Sequence, residues 1–221
     1  MEHAYFITGT DTNAGKTWAT LALMHYFKQH DKSVVGMKPV ASGCTLSDGH
    51  LKNEDALLLQ AHASLPVDYA LINPYAYLEP VSPHIAGADN PVNLDKVEAN
   101  FSALQTLADI VLVEGVGGWY APINEQQSVS DMAQHLALPV IMVVAIRLGC
   151  INHARLSYQA ICSSGLICAG WLAVCNDPNM IKRDETIAYL KKALNSPLLG
   201  VLPYHENADF DLLAQRLSLN H

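Results

Sequence analysis

Charge is the first thing the sequence has little of. Only 15% of the 221 residues are charged, while 50% are apolar. Disordered chains need the opposite balance, so a packed chain is expected. At this length folding buries roughly 70–75% of the unfolded chain's surface, and residues 1–221 read as one domain. Basic residues are the scarcer sign, with 13 Lys and Arg against 21 Asp and Glu and a formal net charge of −8. Such a chain repels nucleic-acid phosphates at long range and gains no general attraction to anionic lipid, so neither is expected as a partner. No long apolar run is present either. The longest stretch, Leu136–Ile146, is interrupted by Pro139 and falls short of the roughly 18–20 residues that span a bilayer. The opening MEHAYFITGT has no basic segment followed by an apolar one, so no signal peptide is expected. Cysteines are few and odd in number (Cys44, Cys150, Cys162, Cys168 and Cys175), and no CxxC pair occurs. That usage points to reduced thiols and a cytoplasmic protein. The glycines and prolines follow no three-residue period, which excludes a collagen-like chain. The ten histidines form no H-E-x-x-H motif or Cys/His cluster and read as structural or surface residues.

What is present is an alternation. Strand-like runs at Ala4–Thr8, Ser33–Met37, Asp109–Val113, Pro139–Ile146, Ile167–Val174 and Leu198–Leu202 are mostly apolar, several of them without period-two patterning. Strands buried on both faces read this way. Helical patterns fall between them, over Lys16–His30, Glu54–His62, Leu94–Leu107, Val129–Leu136, Cys150–Ser163 and Lys182–Leu194, and a last one closes the chain at Ala208–Leu217. The expected fold is α/β: a doubly wound, mostly parallel sheet of about seven strands with helices on both faces. Pro66–Pro91, with prolines at 66, 74, 80, 83 and 91, is the main irregular segment and reads as a lid or binding loop.

In such folds ligands lie beyond the carboxyl ends of the strands. The first of these ends runs Gly9-Thr10-Asp11-Thr12-Asn13-Ala14-Gly15-Lys16-Thr17 and opens a helix on Gly-Lys-Thr. This is a phosphate-loop arrangement, as in P-loop NTPases, lengthened by one residue, because Thr10 stands where the common spacing has glycine. Backbone N–H groups and the helix terminus present positive charge to phosphate oxygens. Lys16 would reach the β/γ-phosphates and the Thr17 hydroxyl would ligate Mg²⁺. Glu114 ends the apolar strand Ile110-Val111-Leu112-Val113, where a carboxylate can meet Mg²⁺. Many strands end in a carboxylate, but Gly115, Gly117 and Gly118 alongside let backbone approach a ligand closely. Lys38 ends the second strand. It would sit beside the phosphate loop if both strand ends lie on one side, and is otherwise a solvated lysine. Asp55 opens a helix, where a charge favoured by the helix dipole is the simpler explanation.

The segments GTDTNAGKT, GMKPVASG, NEDA, NPYAYLEPVSPHIA, VLVEGVGGWYAPI, RLGCINHARL and PLLGVLP occur in one order. Together they resemble the dethiobiotin synthase family over about Tyr5–Tyr204. The resemblance implies ATP- and Mg²⁺-dependent joining of CO₂ to 7,8-diaminopelargonic acid (7,8-diaminononanoate), giving dethiobiotin, ADP and phosphate through a carbamate and a carbamic–phosphoric anhydride. It implies Mg²⁺ ligands at Thr17, Asp55 and Glu114, and catalytic roles for Lys38 and Lys16. Nucleotide contacts are implied at Asn13, Ala14, Gly15, Lys16, Thr17, Trp18, Asp55, Glu114, Gly115, Val116 and Gly117, with an adenine pocket at Asn176, Asp177, Pro203, Tyr204 and His205. Diamine or carbamate contacts are implied at Thr12, Lys38, Ser42 and Gly118. The far carboxylate of the substrate is implied at Leu148, Gly149, Cys150 and Asn152, near a homodimer interface. Two positions depart from the family: Asn13 is often acidic there, and the family's carboxylate-binding tyrosine is replaced in register by Ile187, with Tyr189 two residues on. A partitioning or positioning ATPase is the alternative. Those switches carry a signature lysine five residues before the loop lysine, where this chain has Asp11. A nucleotide-binding regulatory module without turnover is a third reading, and it has less need of the full set Lys16, Thr17, Asp55 and Glu114.

Overall fold

Strands buried on both faces must find helices for each face, and the chain supplies them in alternation. The computed structural model describes residues 3–204 and 209–219. In chain order the elements are β1 (Ala4–Gly9), α1 (Lys16–Gln29), β2 (Val34–Met37), β3 (Val40–Ala41), β4 (Thr45–Ser47), β5 (His50–Lys52), α2 (Glu54–Ala61), α3 (Tyr69–Ile72), β6 (Tyr75–Ala76), α4 (Pro83–Ala86), α5 (Leu94–Gln105), β7 (Ile110–Glu114), α6 (Val129–His135), β8 (Val140–Ala145), α7 (Cys150–Ser163), β9 (Cys168–Val174), α8 (Arg183–Ala193), β10 (Leu198–Leu202) and α9 (Phe210–Ala214). Among the described residues the central sheet has six strands, in the order β10-β9-β8-β1-β7-β2, and every pairing in it is parallel. These are the six apolar runs of the sequence. The remaining strands form two small two-stranded sheets, β3-β6 and β4-β5.

Alternate side chains of each strand enter different cores, as the pleat requires. Phe6, Val35, Val113, Met142 and Trp171 belong to one cluster. Ile7, Leu112, Val143 and Leu172 belong to the other, with Leu21, Leu23 and Met24 of α1 and Leu213 of α9. Register fixes the functional edge: Ile7 lies opposite Glu114, and Met37 opposite Val113. The carboxyl ends of β1, β2 and β7 therefore share one rim of the sheet.

Local chemistry starts most helices. Asn53 caps α2 by accepting from the Ala56 N–H, and Asn93 caps α5 by accepting from Asp95 and Lys96. Ser128 and Asp131 form a capping box on α6. Caps of this kind contribute about 1 kcal/mol each. Helices α1 and α7 start differently, on left-handed Gly15 and Gly149 without a side-chain cap.

The proline-rich stretch is more structured than its composition suggests. It contains α3, β6 and α4, and β6 pairs with β3 through Val40–Tyr75 and Ala41–Ala76. The Lys38 N–H also donates to the Ile72 carbonyl at 2.9 Å. These bonds bring the stretch against the loop that follows β2. Among the described residues no helix is long and apolar enough to cross a membrane.

Candidate active site

A cleft of about 670 Å³ opens at the shared rim, between the loops after β1, β2, β7 and β9. Its floor is a cluster of buried charges. Glu114 is 0% exposed, Lys38 4% and Lys16 7%. A buried ion is tolerable when it is paired or well hydrogen-bonded: Lys38 and Glu114 are paired with each other, and Lys16 is hydrogen-bonded to backbone carbonyls. Lys38 Nζ donates to Glu114 Oε1 at 2.6 Å, to Asp55 Oδ2 at 3.3 Å and to the Gly115 carbonyl at 3.3 Å. Thr17 Oγ1 donates to the same Glu114 oxygen at 2.9 Å. Lys16 Nζ donates to the carbonyls of Asp11 at 3.0 Å and Gly117 at 2.7 Å, which ties the β1 loop to the β7 loop.

The two lysines respond to their surroundings in opposite ways. Burial, helped by the neighbouring Lys38 charge, pulls the Lys16 ammonium down to about 8 against the opposing pull of Glu114, Asp55 and Asp11. Burial also presses on Lys38, but the Glu114 and Asp55 carboxylates facing it together outweigh burial and hold it above its ordinary value. Lys38 is thus a locked cation, whereas Lys16 is held mainly by neutral carbonyls and gains most from an arriving anion.

The β1 loop needs its own backbone conformations. Asn13 and Gly15 have positive φ of 57° and 87°. At Gly15 a side chain is also excluded, because a Cβ would lie 2.7 Å from Val174 Cγ1. The glycine lets the start of α1 lie directly against β9.

Of the residues singled out from sequence, Thr12, Asn13, Gly15, Lys16, Thr17, Trp18, Lys38, Ser42, Asp55, Glu114, Val116, Gly117, Asn176, Pro203 and Tyr204 line this one cleft. The Ser42 hydroxyl is buried there without a protein partner. Asn176 donates to the Asn13 carbonyl at 3.0 Å, so the β9 loop is fastened to the β1 loop. Ala14 is fully buried behind the loop. Gly115 and Gly118 reach the site through backbone: the Gly115 carbonyl accepts from Lys38, and Gly118 packs near the Gly9 and Thr10 carbonyls. Asp177 is not among the cleft residues; its carboxylate accepts from the Asn179 N–H in a local turn. His205 lies outside the described residues. Leu148, Gly149, Cys150 and Asn152 stand apart from the cleft. Leu148 is 95% exposed, Cys150 is buried, and Asn152 borders a separate hollow with Arg155 and Tyr158.

The geometry adds residues that the sequence reading missed. Thr20 Oγ1 reaches Glu114 Oε2 at 2.9 Å. Its signal is the spacing Thr17-x-x-Thr20, which puts both hydroxyls on one helix face. Arg147 Nη2 bonds Asp11 Oδ2 at 2.6 Å across 136 positions, a pair with no local signal. Pro80, Val81, Ser82 and Pro83 also line the cleft, so the proline-rich stretch reaches the site as a wall.

Thr17, Asp55 and Glu114 offer one hydroxyl and two carboxylates on the cleft, with Glu114 Oε1 accepting from Thr17 and from the Lys38 ammonium, which also meets Asp55. Hard oxygen donors of this kind fit Mg²⁺.

A family described as an AAA domain matches residues 3–210. The ATP-dependent dethiobiotin synthetase BioD of Xanthomonas campestris pv. campestris is 45% identical over 218 residues, covering 98% of this chain and 97% of that protein. Among solved structures, the signal recognition particle receptor FtsY of Elizabethkingia anophelis has a TM-score of 0.57 at 15% identity, over 100% of this chain and 63% of that one. The MinD cell division protein of Aquifex aeolicus has a TM-score of 0.57 at 16% identity, over 97% of this chain and 87% of that one. At such identities the structural likeness is one of fold alone.

Proposed function

Because the chain belongs to the ATP-dependent dethiobiotin synthetase family, we propose that its cleft joins CO₂ to 7,8-diaminopelargonic acid using ATP and Mg²⁺, and releases dethiobiotin, ADP and phosphate. The chain is accordingly a ligase of biotin biosynthesis. The observation that carries the finer reading is the convergence of Lys16, Thr17, Lys38, Asp55 and Glu114 on one cleft floor.

One amine of the substrate takes up CO₂ as a carbamate and loses a proton. The carbamate oxygen attacks the γ-phosphorus of ATP, ADP departs, and a carbamic–phosphoric anhydride forms. The second amine then attacks the carbonyl carbon, and phosphate leaves as the ureido ring closes. Carbamate and triphosphate are both anions, so the first need is cations fixed in advance. Lys38 is held by two carboxylates and would face the carbamate and the transferring phosphoryl group. Lys16 would exchange its loop carbonyls for phosphate oxygens. Thr17, Asp55 and Glu114 would hold Mg²⁺, which supplies further positive charge at the phosphates. The unpartnered Ser42 hydroxyl and Thr12 would contact the diamine or its carbamate. No protein nucleophile is required, and burial pushes the Cys44 thiol up, away from the reactive thiolate. Asn176, Pro203 and Tyr204 would face the adenine. Leu148–Asn152 would meet the substrate carboxylate, with a second copy of the chain closing that corner. A cytoplasmic place fits the five free cysteines.

Purified protein given ATP, Mg²⁺, bicarbonate and the diamine should form dethiobiotin only when all four are present. Lys38→Ala should lower product formation by about a hundredfold or more while ATP still binds. Full activity in that variant would remove Lys38 from the mechanism. ATP hydrolysis indifferent to the diamine would point to a different ATPase.

A further inference from the structure

We propose that Thr20 is the positioning residue that sets the orientation of the Glu114 carboxylate for metal binding. The proposal rests on the reading of Glu114 as a metal ligand. The terminal torsion of a glutamate is broad rather than sharply staggered, so hydrogen bonds decide which way its oxygens face. Glu114 is fully buried, and neither oxygen has access to solvent. Oε1 accepts from Thr17 and Lys38, the two residues on the cleft side. Oε2 accepts from Thr20 Oγ1 at 2.9 Å. The carboxylate is therefore held from both ends: one oxygen is presented to the cleft and the other is bonded behind it.

Thr20 is suited to this by its own restraint. It lies one turn beyond Lys16 on α1, is 0% exposed, and its hydroxyl also lies 2.8 Å from the Lys16 carbonyl. A β-branched side chain in a helix has few χ1 choices, and this i−4 contact selects among them. A hydroxyl carries one proton for two acceptors, and the charged carboxylate oxygen is the stronger of them. Thr20 touches neither the cleft nor the reacting atoms, so it acts through Glu114. Outer-shell partners of this kind govern metal affinity more than the chemical step.

The test measures Mn²⁺ binding by electron paramagnetic resonance in the presence of ADP, together with the Mg²⁺ dependence of turnover. Thr20→Val removes the hydroxyl at nearly constant volume, and Thr20→Ala removes it with less risk of crowding the buried carboxylate. Both should bind Mn²⁺ about tenfold more weakly or worse. The Mg²⁺ concentration for half-maximal rate should rise in parallel, with kcat at saturating Mg²⁺ changed much less. Thr20→Ser keeps the hydroxyl and loses only the methyl group, so it should recover binding to within about threefold of the native chain. Native affinity in the Val or Ala variant overturns the proposal. So does a Ser variant as weak as Ala, which would make Thr20 a packing residue. Native protein that binds no Mn²⁺, or binds it equally well as Glu114→Gln, overturns instead the reading of Glu114 on which the proposal rests.

Discussion

Helices α1 and α7 are each 14 residues long, start on a left-handed glycine and lack a side-chain cap, yet their N-termini lie in very different surroundings. Gly15 is pressed against Val174, where a Cβ would lie at 2.7 Å, whereas a Cβ on Gly149 would meet nothing within 4 Å. Lys16 is buried beside the one; Leu148, beside the other, is 95% exposed. A helix N-terminus always offers free N–H groups and the positive end of a dipole. At α1 the chain adds two lysines, a carboxylate pair and walls from β7 and β9, and the anion cradle is complete. At α7 it offers little beyond the N–H groups. In the proposed reaction the first holds triphosphate and the second holds the substrate carboxylate against a partner copy. On that proposal the phosphate half would be built within one chain, and the carboxylate half would be left for a second copy to finish.

The sharpest way to break this contrast is to put the same methyl group on both glycines. Gly15→Ala combines an unfavourable left-handed φ with a clash against a strand side chain, together costing about 2–5 kcal/mol. Displacing the loop should also lower dethiobiotin formation by about a hundredfold or more, with ATP binding lost alongside. Gly149→Ala meets no neighbour and should cost only about 1 kcal/mol. Its activity loss should be confined to a raised KM for the diamine. Thermal melts and separate KM values for ATP and diamine decide the matter. Equal effects at the two glycines would show that the surroundings described above do not matter.

Much of the α1 side was legible from sequence, and the reason is locality. The loop, its glycine and Lys16 are contiguous, and Glu114 ends a strand whose apolar run is unmistakable. All six strands of the sheet could be placed because burial on both faces leaves a continuous apolar signature. Lys38 and Asp55 were candidates only, since each also has a plain explanation as a strand-end or helix-start charge; register and topology brought them to Glu114. Thr20 was missed because its spacing from Thr17 shows only that the two hydroxyls share a helix face, and the bond to Glu114 spans 94 positions. Asp177 was named through resemblance alone, as part of an adenine pocket with Asn176, and in the structure its carboxylate accepts from the Asn179 N–H in a local turn. On the α7 side the sequence pointed to Leu148–Asn152 through resemblance alone, and one chain gives those residues little to contact.

Arg147 is the covalent neighbour of Leu148, and through Asp11 it joins the two regions. Both partners are about half exposed, at 40% and 45%, so the pair adds at most about 1 kcal/mol to stability. Its value lies in position, since it fixes the approach to α7 against the phosphate loop. Arg147→Met should leave the melting temperature nearly unchanged. The KM for the diamine should rise about threefold to tenfold, with the KM for ATP moving much less. A matching rise in both would mean that the pair serves the phosphate loop alone, and that the two regions are less separate than their surroundings suggest.

The smallest expected effect lies at the far end of α1. His25 Nδ1 meets Asp211 of α9 at 2.7 Å and His25 Nε2 meets His62 Nδ1, just after α2, at 2.8 Å, so α1 is braced on two sides. Burial, then the neighbouring His25 and Lys28 charges, hold the His62 pKa below 6.5 against the opposing pull of Asp211. Above pH 6.5 His62 is neutral in both folded and unfolded chains and contributes no pH dependence. As the pH falls below 6.5 the unfolded chain takes up the proton first, so the folded chain loses stability until the lowered folded pKa is passed. His62→Asn removes this titration. The melting temperature of the native chain should therefore fall more steeply than that of the variant between pH 7.5 and 5.5. Hydrogen exchange in that range should rise in α1, α2 and α9 and leave α7 unaffected. Parallel melting curves, or loosening that reaches α7 equally, would show that His62 does not brace α1 in the way the contacts indicate.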